Sequence, residues 1–526
     1  MHSTLRSPTR LLLAALALGA LADLLFYGRH LGISAPLFVG LGLATLGWLA
    51  RAEGRPPTRA NLWLGGAALL FALLLALRED PTLTFLNLCA TAGLLLLLAA
   101  GFRAEPLTRL SGGATLASAL VAAVEVTFVP APLAAHGAAQ LVASSDRARA
   151  LMPVSRGLLI AAPALLTFTG LLAMADSVFA SYVAAALSLQ LPFDLGAALR
   201  HTLFAGAAAW ACAGGMLVAL RGAPAGPPSP AGAEVPAEGV TQRLAAAAIP
   251  WRPLGAVESL TVLLAVDTLF GGFMLIQAAY LFGGLDTLDR TGMTYAEYAR
   301  RGFFELLTVA VLALGMLLGL AGLTRRGGRE RLAFNAACGA MVALLLGLLA
   351  SAFQRMLLYQ AAYGFTHLRI YTLSFMVWLG LVLLLFLAAL LRNEPRVFTF
   401  GGLVSALVYL AALNLANPDA LIVRENVARY QAGGELDASY LAELSADGTP
   451  ELVAELPTLG GPEREIVAEA LERKRRYLKR VAQESGWPGF HIGRLYARNA
   501  LACTMPNARC GIVAPSGDTI GDNGTY

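Results

Sequence analysis

The chain has 526 residues, of which 57% are hydrophobic and 14% are charged, and its formal net charge is +5. A soluble domain carries about 25% charged residues, so this composition excludes a soluble globular protein as the class for most of the chain. The small positive charge indicates arginines in cytoplasmic loops of a membrane protein and not a nucleic-acid-binding surface.

Apolar runs long enough to cross a bilayer recur from Leu11 to Leu415. A span needs about 20 mostly apolar residues, and helices are expected because a bilayer offers no partner for unpaired backbone groups. The first run follows Arg6 and Arg10 and continues past the small pair Ala20 and Ala22, so we interpret it as an uncleaved helix and not a signal peptide. The predicted spans are 10–27, 33–50, 61–77, 82–101, 157–175, 195–219, 256–282, 303–323, 333–353, 370–391 and 397–415.

The distribution of arginines favours a cytoplasmic N-terminus, because the loops then predicted inside hold more arginines than the outside loops. The segment 112–142 makes the number of membrane crossings ambiguous, since it is apolar but contains Glu125 and Pro130. A re-entrant or interfacial helix there leaves about eleven crossings and an extracytoplasmic C-terminus. A single ordinary span would give twelve crossings and a cytoplasmic C-terminus.

The chain divides into five predicted regions. They are N-terminal transmembrane helices (1–221), a flexible cytoplasmic linker rich in Pro, Ala and Gly (222–252), C-terminal transmembrane helices (253–415), a small helical extracytoplasmic domain (416–513) and a disordered tail (514–526). The expected fold class is therefore all-α, a polytopic transmembrane helical bundle with a small C-terminal extramembrane helical domain.

Beyond Leu415 the sequence becomes densely charged, with charges of both signs. Thr449 is predicted to cap a helix, and a longer helix from about 462 to 484 carries an apolar stripe. The stripe consists of Val467, Leu471, Leu478 and Val481. Cys503 and Cys510 lie close together in sequence and are expected to form a disulfide in an oxidising compartment. The alternative is two free thiols in a cytoplasmic tail.

Ionisable and polar residues in or near the spans are the candidate functional residues, because charge within a membrane is costly. The candidate cluster, within the membrane or at its outer face, is Asp267, Gln277, Tyr280, Glu297, Arg301, Glu305, Arg355, His367 and Arg369. The acids are interpreted either as paired structural residues or as parts of an ion or proton path.

Glu297, Arg301 and Glu305 follow one another at intervals of four residues, so they share one face of a helix. We hypothesise that Arg355 or Arg369 pairs with these glutamates at the outer surface. The alternative is that the arginines are interfacial anchors in the usual polar belt.

Several catalytic motifs are absent from the sequence, including GxxxxGK[ST], HExxH, GxSxG and an EF-hand loop. No catalytic residue, metal ligand or cofactor is therefore assigned, and no nucleic-acid partner is expected. The lipid bilayer is the expected environment, an envelope protein is the candidate partner, and the sequence does not determine the oligomeric state.

Four stretches resemble a known family of bacterial membrane proteins. They are ADLLFYGRHLG, QAAYLFGG, TYAEYARRGFFEL and LRIYTLSFMVW, and the segments NPDALIVRENVARY and LDASYLAELSADGTPELV look like the same family's extension after its final span. The sequence is similar to the family grouped as domain of unknown function 4173, overlapping with 4153. This resemblance implies a polytopic protein of the bacterial inner membrane, and it brings no catalytic residues.

The favoured functional hypothesis is a non-enzymatic envelope sensor or scaffold, because an outer domain is combined with an absence of catalytic motifs. The first alternative is a small-solute or proton-coupled transporter, for which Asp267 and Glu305 are the candidate residues. The second alternative is a membrane enzyme acting on a lipid-linked substrate, and an enzyme is the less favoured class.

Overall fold

The structure is a computed structural model, and it describes residues 8–102, 126, 195–221, 259–268, 270, 271, 274, 303–324 and 328–503. Long apolar α-helices occupy most of this part of the chain. The helices before residue 417 are α1 (Pro8–Phe26), α2 (Ser34–Ala52), α3 (Trp63–Leu74), α4 (Pro81–Gly101), α5 (Leu195–Arg221), α6 (Ser259–Thr268), α7 (Phe303–Leu323), α8 (Gly328–Tyr363), α9 (His367–Arg392) and α10 (Pro395–Ala416).

Among the described residues, seven helices are long and apolar enough to cross a membrane, and three shorter apolar helices accompany them. The prediction of an all-helical membrane bundle is therefore confirmed. The predicted span 157–175, the segment 112–142 apart from Val126, and the linker 222–252 lie outside the described residues. The choice between eleven and twelve crossings stays a prediction.

The outward surface of these helices is apolar, as a lipid environment requires. Leu13, Leu312, Val377 and Leu415 each expose more than 60% of their surface. A soluble monomer rarely exposes large apolar patches, because water makes them costly. Hydrocarbon chains remove that cost, so the exposed leucines are consistent with spanning helices.

Helix α8 is longer than the span predicted at 333–353. It has 36 residues, which corresponds to about 54 Å at 1.5 Å per residue, whereas the hydrocarbon core of a bilayer is about 30 Å thick. Its second half continues through Gln354 and Arg355 to Tyr363 without a break. The helix therefore projects beyond the hydrocarbon region, and its last turns reach the C-terminal domain.

Two apolar cores lie within the membrane helices. The first is built from α1 to α5 and includes Leu410 and Leu413 near the end of α10. The second is built from α6 to α9 and includes Leu345 and Leu383. The last membrane helix thus returns to the N-terminal helices, and it brings the start of the C-terminal domain over the ends of α3 and α4.

Shorter helices follow the membrane helices. They are α11 (Pro418–Gln431), α12 (Ala438–Glu443), α13 (Thr449–Glu455), α14 (Gly461–Ser485) and α15 (Ile492–Cys503). The predicted apolar stripe of α14 is confirmed, because its four residues are buried and three of them, Val467, Leu471 and Leu478, belong to a third core. The prediction that Thr449 is an N-cap was wrong. A preceding 3-10 turn (Ala446–Gly448) leads directly into α13, so Gly448 is the N-cap residue and Thr449 already lies in the helix.

The C-terminal helices pack on one end of the membrane bundle. We call the surface where residues 27–33, 75–80 and 363–367 meet them the junction. The Ile33 backbone N–H donates to Phe490 O at 2.8 Å, and the Ile492 N–H donates to Ala76 O at 2.8 Å. A Cβ on Gly32 would lie 2.3 Å from Phe490 O, so only glycine permits this approach of the two backbones.

Candidate functional site

Asp80 is buried at the junction and caps the N-terminus of α4. Its Oδ1 accepts hydrogen bonds from the Leu83 N–H at 2.7 Å and from the Tyr371 hydroxyl at 2.9 Å. The local sequence explains this position, because Asp is a favoured N-cap residue and Pro81 suits the first helical turn. These bonds use one carboxylate oxygen and leave Oδ2 for another partner.

His367 begins α9 and faces Asp80. Its Nε2 lies 3.3 Å from Asp80 Oδ2 and also contacts Asp419 Oδ1. On the other side of the ring, Nδ1 lies 3.3 Å from the Tyr440 hydroxyl, which also accepts the His367 backbone N–H at 2.9 Å. The imidazole is therefore oriented by the C-terminal domain while it is carried by a membrane helix.

Asp419 is fully buried in the first turn of α11, where Asn417 is the N-cap residue. Its Oδ2 accepts the Ser445 N–H at 2.8 Å, and its Oδ1 is directed to the imidazole of His367. Burial acts to raise the pKa of the Asp419 carboxyl, but hydrogen bonds from His367 and Ser445 outweigh burial and hold the pKa below its usual value. Asp419 is therefore an anion at neutral pH.

A third carboxylate, Asp447, holds the loop that precedes α4. Its Oδ2 accepts the backbone N–H groups of Glu79 at 2.6 Å and Asp80 at 3.0 Å. Its Oδ1 is buried without a hydrogen-bond partner among the described residues. Burial raises the pKa of Asp447 to about 6. A Cβ on Gly493 would lie 2.4 Å from Oδ1, so this carboxylate is enclosed and does not open onto a groove.

Further buried polar contacts surround these carboxylates. Arg494 Nε donates to Glu79 Oε1 at 2.7 Å, and the two side chains expose only 13% and 15%. The side chains of Asn87 and Asn414 donate to each other at 2.8 and 3.0 Å, which satisfies both amides. His491 is buried beside Arg494, and these two causes lower the pKa of His491 to about 4. The junction therefore holds a connected set of buried polar contacts beside the apolar contact of Phe365 with the third core.

The structure brings one residue of the predicted cluster to this site, His367. Arg369 lies on the same helix, but its side chain is directed toward the end of α8 and not toward Asp80 or Asp419. Its Nη1 donates to Gly364 O at 2.5 Å, and its guanidinium lies 4.3 Å from the centre of the Tyr359 ring. Arg355 lies on the projecting part of α8.

The other predicted residues do not join the junction in the described part of the chain. Asp267 lies on α6, and both of its carboxylate oxygens are buried without a hydrogen-bond partner among the described residues. Gln277, Tyr280, Glu297, Arg301 and Cys510 lie outside the described residues, and only the helical backbone is described for Glu305 and Cys503. The proposed pairing of Arg355 or Arg369 with the glutamates, and the disulfide, stay predictions.

Sequence reasoning missed Asp80, Asp419 and Asp447. Two of them have a readable local signal, since Asp80 precedes a proline that opens a helix and Asp419 follows one. That signal predicts helix starts and not a shared site. The hydrogen bond between Tyr371 and Asp80 joins residues 291 positions apart, and such a contact depends on how the helices pack.

Comparison with known proteins places the chain in a family. The family model described as Domain of unknown function (DUF4153) matches residues 65–455, which is more than half of the chain. The chain belongs to this family. The match includes Asp80, His367, Asp419 and Asp447, so these four residues lie within the family region, and the resemblance inferred from the sequence motifs is confirmed. No curated protein and no solved structure gives a significant match.

Proposed function

We propose that the protein is a non-enzymatic envelope sensor or scaffold of the bacterial inner membrane. In this proposal the N-terminus is cytoplasmic and the membrane bundle holds the C-terminal domain on the outer face. The observation that carries the proposal is the junction, where buried hydrogen bonds fix the domain on the loops of the bundle. A domain held in one orientation can present a defined surface to a partner.

The positions of arginines support this orientation. Helices α2 and α9 both begin at the junction, so their other ends lie on the opposite face of the bundle. The connections at that face carry Arg51, Arg55, Arg59, Arg392 and Arg396. Short cytoplasmic loops are enriched in arginine and lysine, so the face opposite the junction is expected in the cytoplasm.

Thiol labelling in intact cells tests the orientation. In intact cells, with or without prior reduction, a membrane-impermeant maleimide should reach Cys503 and Cys510. A requirement for prior reduction would show that the two thiols form a disulfide. Labelling only after lysis would place the C-terminal domain in the cytoplasm and overturn the envelope proposal.

The exposed face of α14 is the surface that a partner would meet. Arg473, Arg476, Tyr477 and Arg480 line an open depression of about 390 Å³. Arg473 pairs with a glutamate one turn away, whereas Arg476 and Arg480 have no acidic partner among the described residues. Uncompensated arginines beside an exposed tyrosine favour an acidic protein surface as the partner.

Photo-crosslinking tests the partner. A photoreactive phenylalanine analogue at Tyr477 should give one adduct with an acidic envelope protein, identified by mass spectrometry. The R476E and R480E substitutions should abolish that adduct, because they reverse the charge of an exposed surface without disturbing the core. The analogue at Tyr496, which is exposed on α15, is the matched control. An adduct that charge reversal leaves unchanged would contradict the proposal.

A transporter for protons or a small solute is the second candidate, and Asp267 favours it. A carboxylate with both oxygens buried and no partner among the described residues is costly in an apolar helix, and such residues commonly mark an ion path. Proton flux in proteoliposomes, followed with an internal pH-sensitive dye, tests this candidate. D267N should abolish the flux and the exposed-acid control E330Q should not. Equal flux in empty liposomes and in liposomes with the wild-type protein would exclude the proton-coupled form.

A further inference from the structure

Three potential ligand atoms converge at the junction from separate parts of the chain. They are Asp80 Oδ2 before α4, His367 Nε2 at the start of α9, and Asp419 Oδ1 in α11, and they lie within 4.8 Å of one another. Two come from the membrane bundle and one from the C-terminal domain. Two of the three residues are almost completely buried.

Each carboxylate has one oxygen engaged by groups outside the cluster and one that faces His367. Asp80 Oδ1 is occupied by the Leu83 N–H and the Tyr371 hydroxyl, and Asp419 Oδ2 is occupied by the Ser445 N–H. The two remaining oxygens are both directed to the same imidazole nitrogen. A neutral imidazole has at most one N–H at that nitrogen, so it cannot make a full hydrogen bond to both carboxylates.

We infer that Asp80, His367 and Asp419 bind a divalent cation, with Zn²⁺ the best match to the donor set. Imidazole and carboxylate ligands suit Zn²⁺, and three protein ligands leave a fourth position for water. Tetrahedral bonds of about 2.0–2.2 Å place neighbouring ligand atoms about 3.4 Å apart. The separation of Asp80 Oδ2 and His367 Nε2 is 3.3 Å.

The surrounding hydrogen bonds match those of a metal site. A histidine ligand usually directs its second ring nitrogen to a polar group, and here Nδ1 faces the Tyr440 hydroxyl. The ligating carboxylates are themselves hydrogen-bonded, to Tyr371 on one side and to Ser445 on the other. Sequence analysis assigned no metal ligand because metal-binding motifs are absent, and these three residues, which are far apart in the chain, form no such motif.

A cation at this position ties the C-terminal domain to the membrane bundle. Because the ligands lie on both sides of the junction, binding would stabilise the docked arrangement over one in which the domain has separated. This inference depends on the junction contacts alone, so it stands or fails independently of the envelope location and of the acidic partner.

Zinc titration of the full-length protein tests the inference. The protein is purified without a histidine tag, stripped with EDTA and titrated with ZnCl₂ by calorimetry. We expect one Zn²⁺ per chain, and we expect H367Q and D419N to weaken binding at least about 100-fold. H201Q is the matched control, because His201 pairs with a single carboxylate, Asp23, at 2.9 Å on the same end of the bundle. It should bind Zn²⁺ like the wild type.

A second measurement needs no variant. X-ray absorption of the zinc-loaded wild-type protein should show first-shell N and O atoms at about 2.0–2.2 Å with the scattering signature of one imidazole. Absence of a stoichiometric site, a spectrum without imidazole, or unchanged affinity in H367Q would each overturn the inference. Zn²⁺ binding that is lost in H201Q but kept in H367Q would place the ion at His201 and would also overturn the inference. Binding of Mn²⁺ or Mg²⁺ tighter than Zn²⁺ would refute zinc as the ion.

Discussion

Substituting Gly493 with alanine should loosen the C-terminal domain from the membrane bundle. The added Cβ would lie 2.4 Å from Asp447 Oδ1 and 2.8 Å from Leu77 O, whereas ordinary contacts begin at about 3.4 Å. Helix α15 or the loop before α4 must therefore shift by up to about 1 Å. That loop carries Asp80, so the displacement reaches the candidate metal site.

The expected change in the free energy of unfolding of G493A follows from two opposing effects. Overpacking a tightly packed site costs about 1–3 kcal/mol. Replacing glycine within a helix gains about 0.5–1 kcal/mol from reduced freedom of the unfolded chain. The contacts of Gly493 are with a backbone carbonyl and with a carboxylate held by two N–H groups, so neither can move easily. We expect a net loss of about 1–2 kcal/mol.

Limited proteolysis and thermal unfolding of the purified protein measure this loss. G493A should be cleaved faster within residues 417–503 and should unfold at a lower temperature than the wild type. The control is G402A, because Gly402 lies in α10 and a Cβ there would meet nothing within 4 Å. Equal protease resistance of G493A and the wild type would refute the argument that the junction has no room at this position.

Three further predictions concern the same junction. Since the folded-state pKa of His491 is about 4 and its ordinary value is 6.5, the unfolded chain alone takes up this proton between those values. The free energy of unfolding of the wild type, relative to that of H491Q, should therefore fall by at most about 3 kcal/mol as the pH falls from 6.5 to 4. Asp447 contributes in the opposite direction in both proteins, so the comparison cancels its contribution. Thermal unfolding should show a loss of about 1–3 kcal/mol in N87A, because its buried asparagine partner loses a hydrogen bond. R494M should lower the melting temperature more than R473M, because the first ion pair is buried and the second is exposed.

The membrane helices and the amphipathic helix α14 could be predicted from the sequence because their signals are local. Apolar runs of about 20 residues indicate spans whatever their neighbours, and the buried stripe of α14 follows from the 3.6-residue period. The predicted span ended at residue 353, ten residues before α8 does, because the hydropathy falls at Gln354 and Arg355. Helix propensity persists there, through Met, Leu, Gln and Ala residues.

The candidate site was largely hidden from sequence reasoning. His367 was identified because polar residues near a span are unusual, but Asp80 and Asp419 look like ordinary helix starts. Their meeting depends on α10 returning to the N-terminal helices and carrying α11 over the end of α4. Sequence patterns of one segment do not encode such long-range packing, so the three residues could not be connected before the fold was known.

The polar character of the junction has a physical consequence for how the domain is held. An apolar interface is non-directional, so a helical domain resting on leucine side chains could slide over the bundle end at little cost. Here Asp447 accepts two successive backbone N–H groups, and a small displacement would leave a buried carboxylate without partners. Unpaired buried charge is costly, which makes the docked orientation strongly preferred over its neighbours. Asp80 and His367 belong to the bundle and Asp419 to the domain, so a cation bound by all three would be held only while the domain is docked.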